Sequence, residues 1–153
     1  MNAAAALTVA LLLAGASPAA EDAGPSYGRV VGPGGVVLQV ELADTPARRA
    51  RGYMFRDGVG PEDGMLFPFG EESVHTFWMK NVRFPLDIIW MDGTGRVVHV
   101  EDHVPACRED PCPSYGPMTR AAYVLELAAG QAAALSLEPG VQLEILIPPP
   151  ATD

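Results

Sequence analysis

Phe84-Pro85-Leu86-Asp87-Ile88-Ile89-Trp90-Met91-Asp92-Gly93-Thr94-Gly95-Arg96-Val97-Val98-His99-Val100 is the stretch on which the fold turns. Two runs rich in β-branched and aromatic residues flank Asp92-Gly93 and Gly95, the strongest short-range pattern for a β-hairpin. Pro85 cannot donate to a strand ladder, so the first run begins at a bend or a sheet edge. Within that run Leu86, Ile88 and Trp90 share one face, and Asp87, Ile89 and Met91 share the other. Both faces are apolar around a single carboxylate.

Outward from the hairpin the same signals repeat. Residues 36–42, 64–69, 74–82, 121–127 and 141–147 are short apolar runs that read as strands, the first alternating with Gln39 and Glu41 on one face. Asp44-Thr45-Pro46 offers an N-cap and a proline at the first helical position, so a short helix follows through Arg51 and Gly52 disturbs its end. A brief Ala-rich helix is expected over 128–135, and Glu138-Pro139-Gly140 is a turn. The pattern predicts a mainly β fold, a compact antiparallel sandwich or barrel-like domain with one or two short helices. Residues 36–147 are the expected single domain, 21–35 a flexible linker and 148–153 a disordered tail.

With 153 residues, of which 48% are hydrophobic and 19% charged, the chain can bury a core without a metal or a disulfide framework. A net charge of −9 without a basic run argues against nucleic acid or anionic lipid as partner. Residues 3–16 are uncharged and too short for an ordinary transmembrane helix, and Ala14-Gly15-Ala16 fits a cleavage site. Residues 1–20 therefore read as a signal peptide, although no Lys or Arg precedes the apolar run. A periplasmic or secreted location follows, with no stable membrane anchor after processing. Cys107 and Cys112 lie in a Pro-rich loop and are expected to form a disulfide in an oxidising compartment. Their four intervening residues exclude a C-x-x-C redox motif; half a zinc site with His99 and His103 is the alternative.

The chemistry-bearing residues cluster between Arg51 and Asp87, with one outlier. A buried Asp87 must be paired, hydrogen-bonded or neutral, and Arg51, Arg56 and Lys80 are its candidate partners. Trp78 and Lys80 share a strand face, Asn81 follows them, and Glu126 is a second acid inside an apolar strand, opposite Tyr123, Leu125 and Leu127. Arg51, Tyr53, Arg56, Trp78, Lys80, Asn81, Asp87 and Glu126 thus form either a buried polar network or a binding site for a small polar, anionic ligand. An acid/base enzyme using Asp87 or Glu126 with Lys80 or Arg51 is the second reading. A structural or interaction module is the third. A copper-binding protein using Met54, Met65, Met79, Met91 and Met118 with His75 and His99 is the fourth. Gly-x-Ser-x-Gly is absent, no Ser-His-Asp or Cys-His arrangement is recognisable, and neither a cofactor nor a resident metal is expected.

Five ordered blocks, Arg51-Gly52-Tyr53-Met54-Phe55-Arg56, Gly64-Met65-Leu66-Phe67, Phe77-Trp78-Met79-Lys80-Asn81, Pro85-Leu86-Asp87-Ile88-Ile89 and Tyr123-Val124-Leu125-Glu126-Leu127 with Gly130, resemble the domain of unknown function 192 family. The resemblance covers about residues 36–147. It implies a compact, mainly β domain, often behind a signal peptide, with no established activity, substrate or cofactor. Val82 stands where the family pattern has Thr, so a hydroxyl role there is lost in this chain.

Overall fold

A computed structural model describes residues 24–149, so the signal-peptide reading of 1–20 and the last four residues of the tail lie outside the described residues. The elements are β1 (Tyr27–Val31), a 3-10 turn (Pro33–Gly35), β2 (Val37–Leu42), α1 (Pro46–Arg51), β3 (Asp63–Ser73), β4 (Phe77–Trp78), β5 (Leu86–Met91), β6 (Val97–Val104), β7 (Ser114–Tyr115), β8 (Ala121–Ala128), α2 (Gln131–Ala134) and β9 (Glu144–Leu146). The mainly β class with two short helices is as expected from the sequence.

Seven strands form one sheet in the order β6-β5-β8-β3-β2-β1-β9, and β4 pairs with β7 in a small second sheet. The large sheet is open and mixed: β2 and β3 run parallel, Gln39 opposite Asp63, while its other pairs are antiparallel. A parallel pair needs a long crossover, and the segment from 43 to 62 that carries α1 supplies it. Thr45 caps α1, its hydroxyl accepting from the Arg48 N–H at 3.2 Å, and Pro46 occupies the first turn. The β5–β6 hairpin forms where its turn residues place it. The Asp92 carboxylate accepts from Thr94 N, Thr94 Oγ1 and Arg96 N, and Gly95 takes φ 85°.

Both faces of the sheet are covered, which is why every residue of β5 is buried. On one face Leu38, Val40, Leu66, Ile89, Met91, Leu125 and Leu127 pack with Ala132, Leu137 and Leu143 from the chain around and after α2. On the other, Met65, Phe67, Ile88, Trp90 and Val124 pack under Tyr53, Met79 and Val82.

Three local expectations need correction. The expected linker contains β1, which lies between β2 and β9 with Val30 fully buried. Gly28 there is a requirement of packing, because a Cβ would stand 2.9 Å from the Leu146 carbonyl oxygen. The run 74–82 yields only the two-residue β4, since Lys80 and Asn81 enter a turn in which Asn81 takes φ 58°. The second helix shrinks to Gln131–Ala134 because β8 extends through Ala128.

Candidate functional site

Asp87 and Glu126 are the two charged residues in the described core, 0% and 5% exposed. They sit on neighbouring strands, where Asp87 lies opposite Leu127 and Ile88 opposite Glu126. A shift of one residue reverses the face. Asp87 therefore points with Ile89 toward α2, and Glu126 points with Ile88 and Val124 toward the layer carrying Tyr53 and Met79. The two acids therefore face opposite sides of the sheet and do not act as a pair on one substrate.

Asp87 is satisfied by backbone. Its Oδ1 accepts from the His103 N–H at 2.8 Å and its Oδ2 from the Ala132 N–H at 2.8 Å. The β5–β6 register slips between Leu86 and Ile88, and across that slip His103 takes φ 51° with its amide on the carboxylate. Ala132 is in the first turn of α2, where amide groups lack intrahelical acceptors. The expected cationic partners are elsewhere because they belong to segments packed on the opposite face. Arg56 is bidentate to Glu41 at 2.7 Å through both contacts, and Lys80 holds Asp110 at 2.9 Å while lying 5.9 Å from the Trp78 ring centre. Arg51 is exposed and has no ion-pair partner among the described residues. Asn81, also exposed, donates to the Met54 sulfur at 3.9 Å.

Glu126 is the opposite case. Its Oε2 is buried with no hydrogen-bond partner, and burial pushes its carboxyl up to about 8, so the group is mostly neutral at pH 7. It forms part of the wall of a cleft of ≈ 30 Å³, bordered by Arg49 to Met54 at the end of α1, by Phe67, by Phe77 and Trp78 of β4, and by Val82. That volume holds one or two waters or the head group of a small molecule. Gly52, with φ 46°, leaves the space open: a Cβ there would lie 3.9 Å from Glu126 Oε2 and 3.6 Å from Phe67 Cζ. Burial, then the nearby Glu126, raises the Tyr53 hydroxyl above its ordinary range. Trp78, 51% exposed, stands at the rim.

Of the eight residues proposed from the sequence, the cleft gathers Arg51, Tyr53, Trp78 and Glu126, and leaves out Arg56, Lys80, Asn81 and Asp87. It adds Gly52, read as the end of the short helix, Phe67, Phe77 and Val82, read within strands, and Met54, read as a candidate copper ligand. A glycine ending a short helix beside an aromatic residue was the available signal. The copper reading lacks a converging ligand set: Met65 and Met79 lie in one core cluster, Met91 in the other, and Met118 projects into solvent. Cys107 and Cys112 are joined in a disulfide with Cα atoms 5.6 Å apart, which denies zinc its thiolates and fits an oxidising compartment. No helix among the described residues is long and apolar enough to cross a membrane. A larger groove of ≈ 600 Å³ beside Gly95, Tyr123 and Gln142 contains no buried unpaired polar atom.

Residues 29–145 match the sequence model of the domain of unknown function 192, described as an uncharacterised ACR. The chain belongs to this family. Among solved structures this family member is similar to a protein of unknown function from Novosphingobium aromaticivorans DSM 12444, with 34% identity, TM-score 0.68, and 85% of this chain and 99% of that one covered. It is also similar to a protein from Sinorhizobium meliloti 1021 named as a candidate transcription regulator, with 33% identity, TM-score 0.67, and coverage of 79% and 93%. No curated protein matches significantly. Four of the five blocks that carry the family resemblance contribute a residue to the cleft, namely those with Gly52, Phe67, Trp78 and Glu126.

Proposed function

We propose that this domain of unknown function 192 is a periplasmic or secreted domain that binds a small polar ligand, and that the Glu126 cleft is its site. One observation carries the reading: a fully enclosed carboxyl oxygen with no partner, beside a space large enough for a ligand group. Burying a polar group unpaired is unfavourable by about 1–3 kcal/mol, so a ligand atom that completes it is bound with that advantage. The apolar 3–16 stretch and the disulfide support the compartment.

Thermal unfolding of the mature protein with small amines, carboxylates, amides and sugars tests the proposal. A ligand at about 100 times its dissociation constant adds about 2.7 kcal/mol, and that gain disappears in Glu126→Gln. A panel that shifts neither protein, or shifts both equally, rejects the cleft as the site.

One feature favours a second reading, catalysis by Glu126 alone. A carboxyl that titrates near 8 is matched to general acid/base work at neutral pH. Turnover of any substrate by the wild type that persists in Glu126→Gln would exclude it. Asp87 has no part in this reading, being sealed on the other face by two amides.

A further inference from the structure

We infer that the group recognised in the cleft is a primary ammonium, held by Glu126 as its carboxylate between aromatic walls. The inference rests on the cleft being the ligand site and adds the chemical class of the ligand, opposite in sign to the anion expected from the sequence.

The cations that supported an anionic ligand are engaged elsewhere: Arg56 by Glu41, and Lys80 by Asp110. Arg49 at the rim donates to the Asp44 and Pro68 carbonyl oxygens and lies over the Phe69 ring, 5.6 Å from its centre. Arg51 is turned to solvent. Neither arginine offsets the burial of Glu126, whose raised carboxyl has desolvation as its cause. The enclosed unpaired atom that borders the cleft is thus a carboxyl oxygen, and what it lacks in the ionised state is a positive donor.

The walls suit the same group. Tyr53, Phe67, Phe77 and Trp78 border the cleft, and aromatic faces attract an ammonium most strongly where water is excluded. The ≈ 30 Å³ space admits the nitrogen and the first carbons of an alkylamine, and the remainder leaves past the exposed Trp78. A chain of net charge −9 also concentrates cations at its surface.

The free site holds a protonated carboxyl at pH 7; the incoming ammonium keeps its protons, the Glu126 proton passes to solvent, and an ammonium–carboxylate pair remains. The charged or titratable groups bordering the cleft besides Glu126 are Arg49, Arg51 and Tyr53. Affinity for an alkylammonium should rise nearly tenfold per pH unit from pH 6 to 7.5, level off near 8, and fall where the amine itself deprotonates, above about 10.

Isothermal titration of the mature protein with n-butylammonium, n-butyrate and n-butanol at pH 6 and 8, in buffers of different ionisation enthalpy, is the experiment. Expected are butylammonium binding that strengthens at pH 8, release of close to one proton at pH 6, loss of both in Glu126→Gln, and binding retained in Arg51→Gln. Butyrate binding that depends on Arg51 would overturn the ammonium class and leave the cleft as the site. No binding by any of the three would overturn the class and count against the site itself. Butylammonium binding that is indifferent to Glu126 would place it elsewhere and overturn the inference. Should Glu126→Gln fail to fold, the wild-type pH profile and proton release decide between these outcomes.

Discussion

Asp87 and Glu126 lie diagonally across paired strands β5 and β8, both buried, and the sheet between them separates two different solutions to one problem. On the α2 face the carboxylate receives two backbone N–H groups that would otherwise lack partners, and it ties β5 to a bulge in β6 and to the first turn of α2. On the α1 face the carboxyl receives nothing and stays protonated near neutral pH. A satisfied buried charge serves the fold. A buried carboxyl left without a partner destabilises the fold and so points to a function outside it.

The largest effect should come from the satisfied side. Asp87→Ala removes two charge-assisted hydrogen bonds and strands two amides, so urea unfolding should show a loss of about 4 kcal/mol. A loss below about 1 kcal/mol would abolish the contrast between the two acids.

Next comes the pH response of Glu126. Its folded value is raised to about 8 from 4.5, so the native state binds the proton more tightly than the unfolded chain. Stability attributable to this group is complete below 4.5, declines as pH rises from there, and the decline ends near 8. The drop between pH 5 and 8 should be about 3 kcal/mol, and Glu126→Gln should flatten it. A wild-type profile that rises steadily through this window would show that Glu126 is paired after all.

A third effect concerns the bracing of the two faces. The Cys107–Cys112 loop leads into β7, which pairs with β4, and Cys107 packs against the Glu126-side core. Reduction should lower stability by about 2 kcal/mol in the chain-entropy model. Hydrogen exchange should accelerate at Phe77 and Trp78 and stay slow at Ala132. Equal acceleration on both faces would deny their independence.

The smallest effect is at Gly52. Gly52→Ala should destabilise by about 1–2 kcal/mol because φ is positive there. Its methyl, close to Glu126 Oε2, should also abolish ligand-induced stabilisation. Unchanged ligand response in a folded Gly52→Ala protein would move the site away from this cleft.

The strand pattern was legible because alternation and turn chemistry are local. Asp92-Gly93 with Gly95 made the hairpin readable, Thr45-Pro46 the start of α1, and the apolar context of Asp87 and Glu126 their burial. β1 was missed because Gly28 looked like flexibility, whereas it permits close approach of β9. Four of the eight candidate residues, Arg51, Tyr53, Trp78 and Glu126, border the cleft. The pairing of Arg56 and Lys80 with Glu41 and Asp110 instead of Asp87 was not legible, because those partners lie 15 and 30 residues away along the chain.

The amino-acid sequence alone determined the mainly β class, the hairpin and the presence of two acids within apolar strands, since period-two patterning and turn residues act over a few positions. Only the tertiary structure decided that β2 and β3 run parallel, that the acids face opposite ways, and that Asp87 is answered by Ala132 while Glu126 is not. A hydrogen bond spanning 45 residues depends on how the sheet is ordered and which loop covers each face, and no local pattern encodes that.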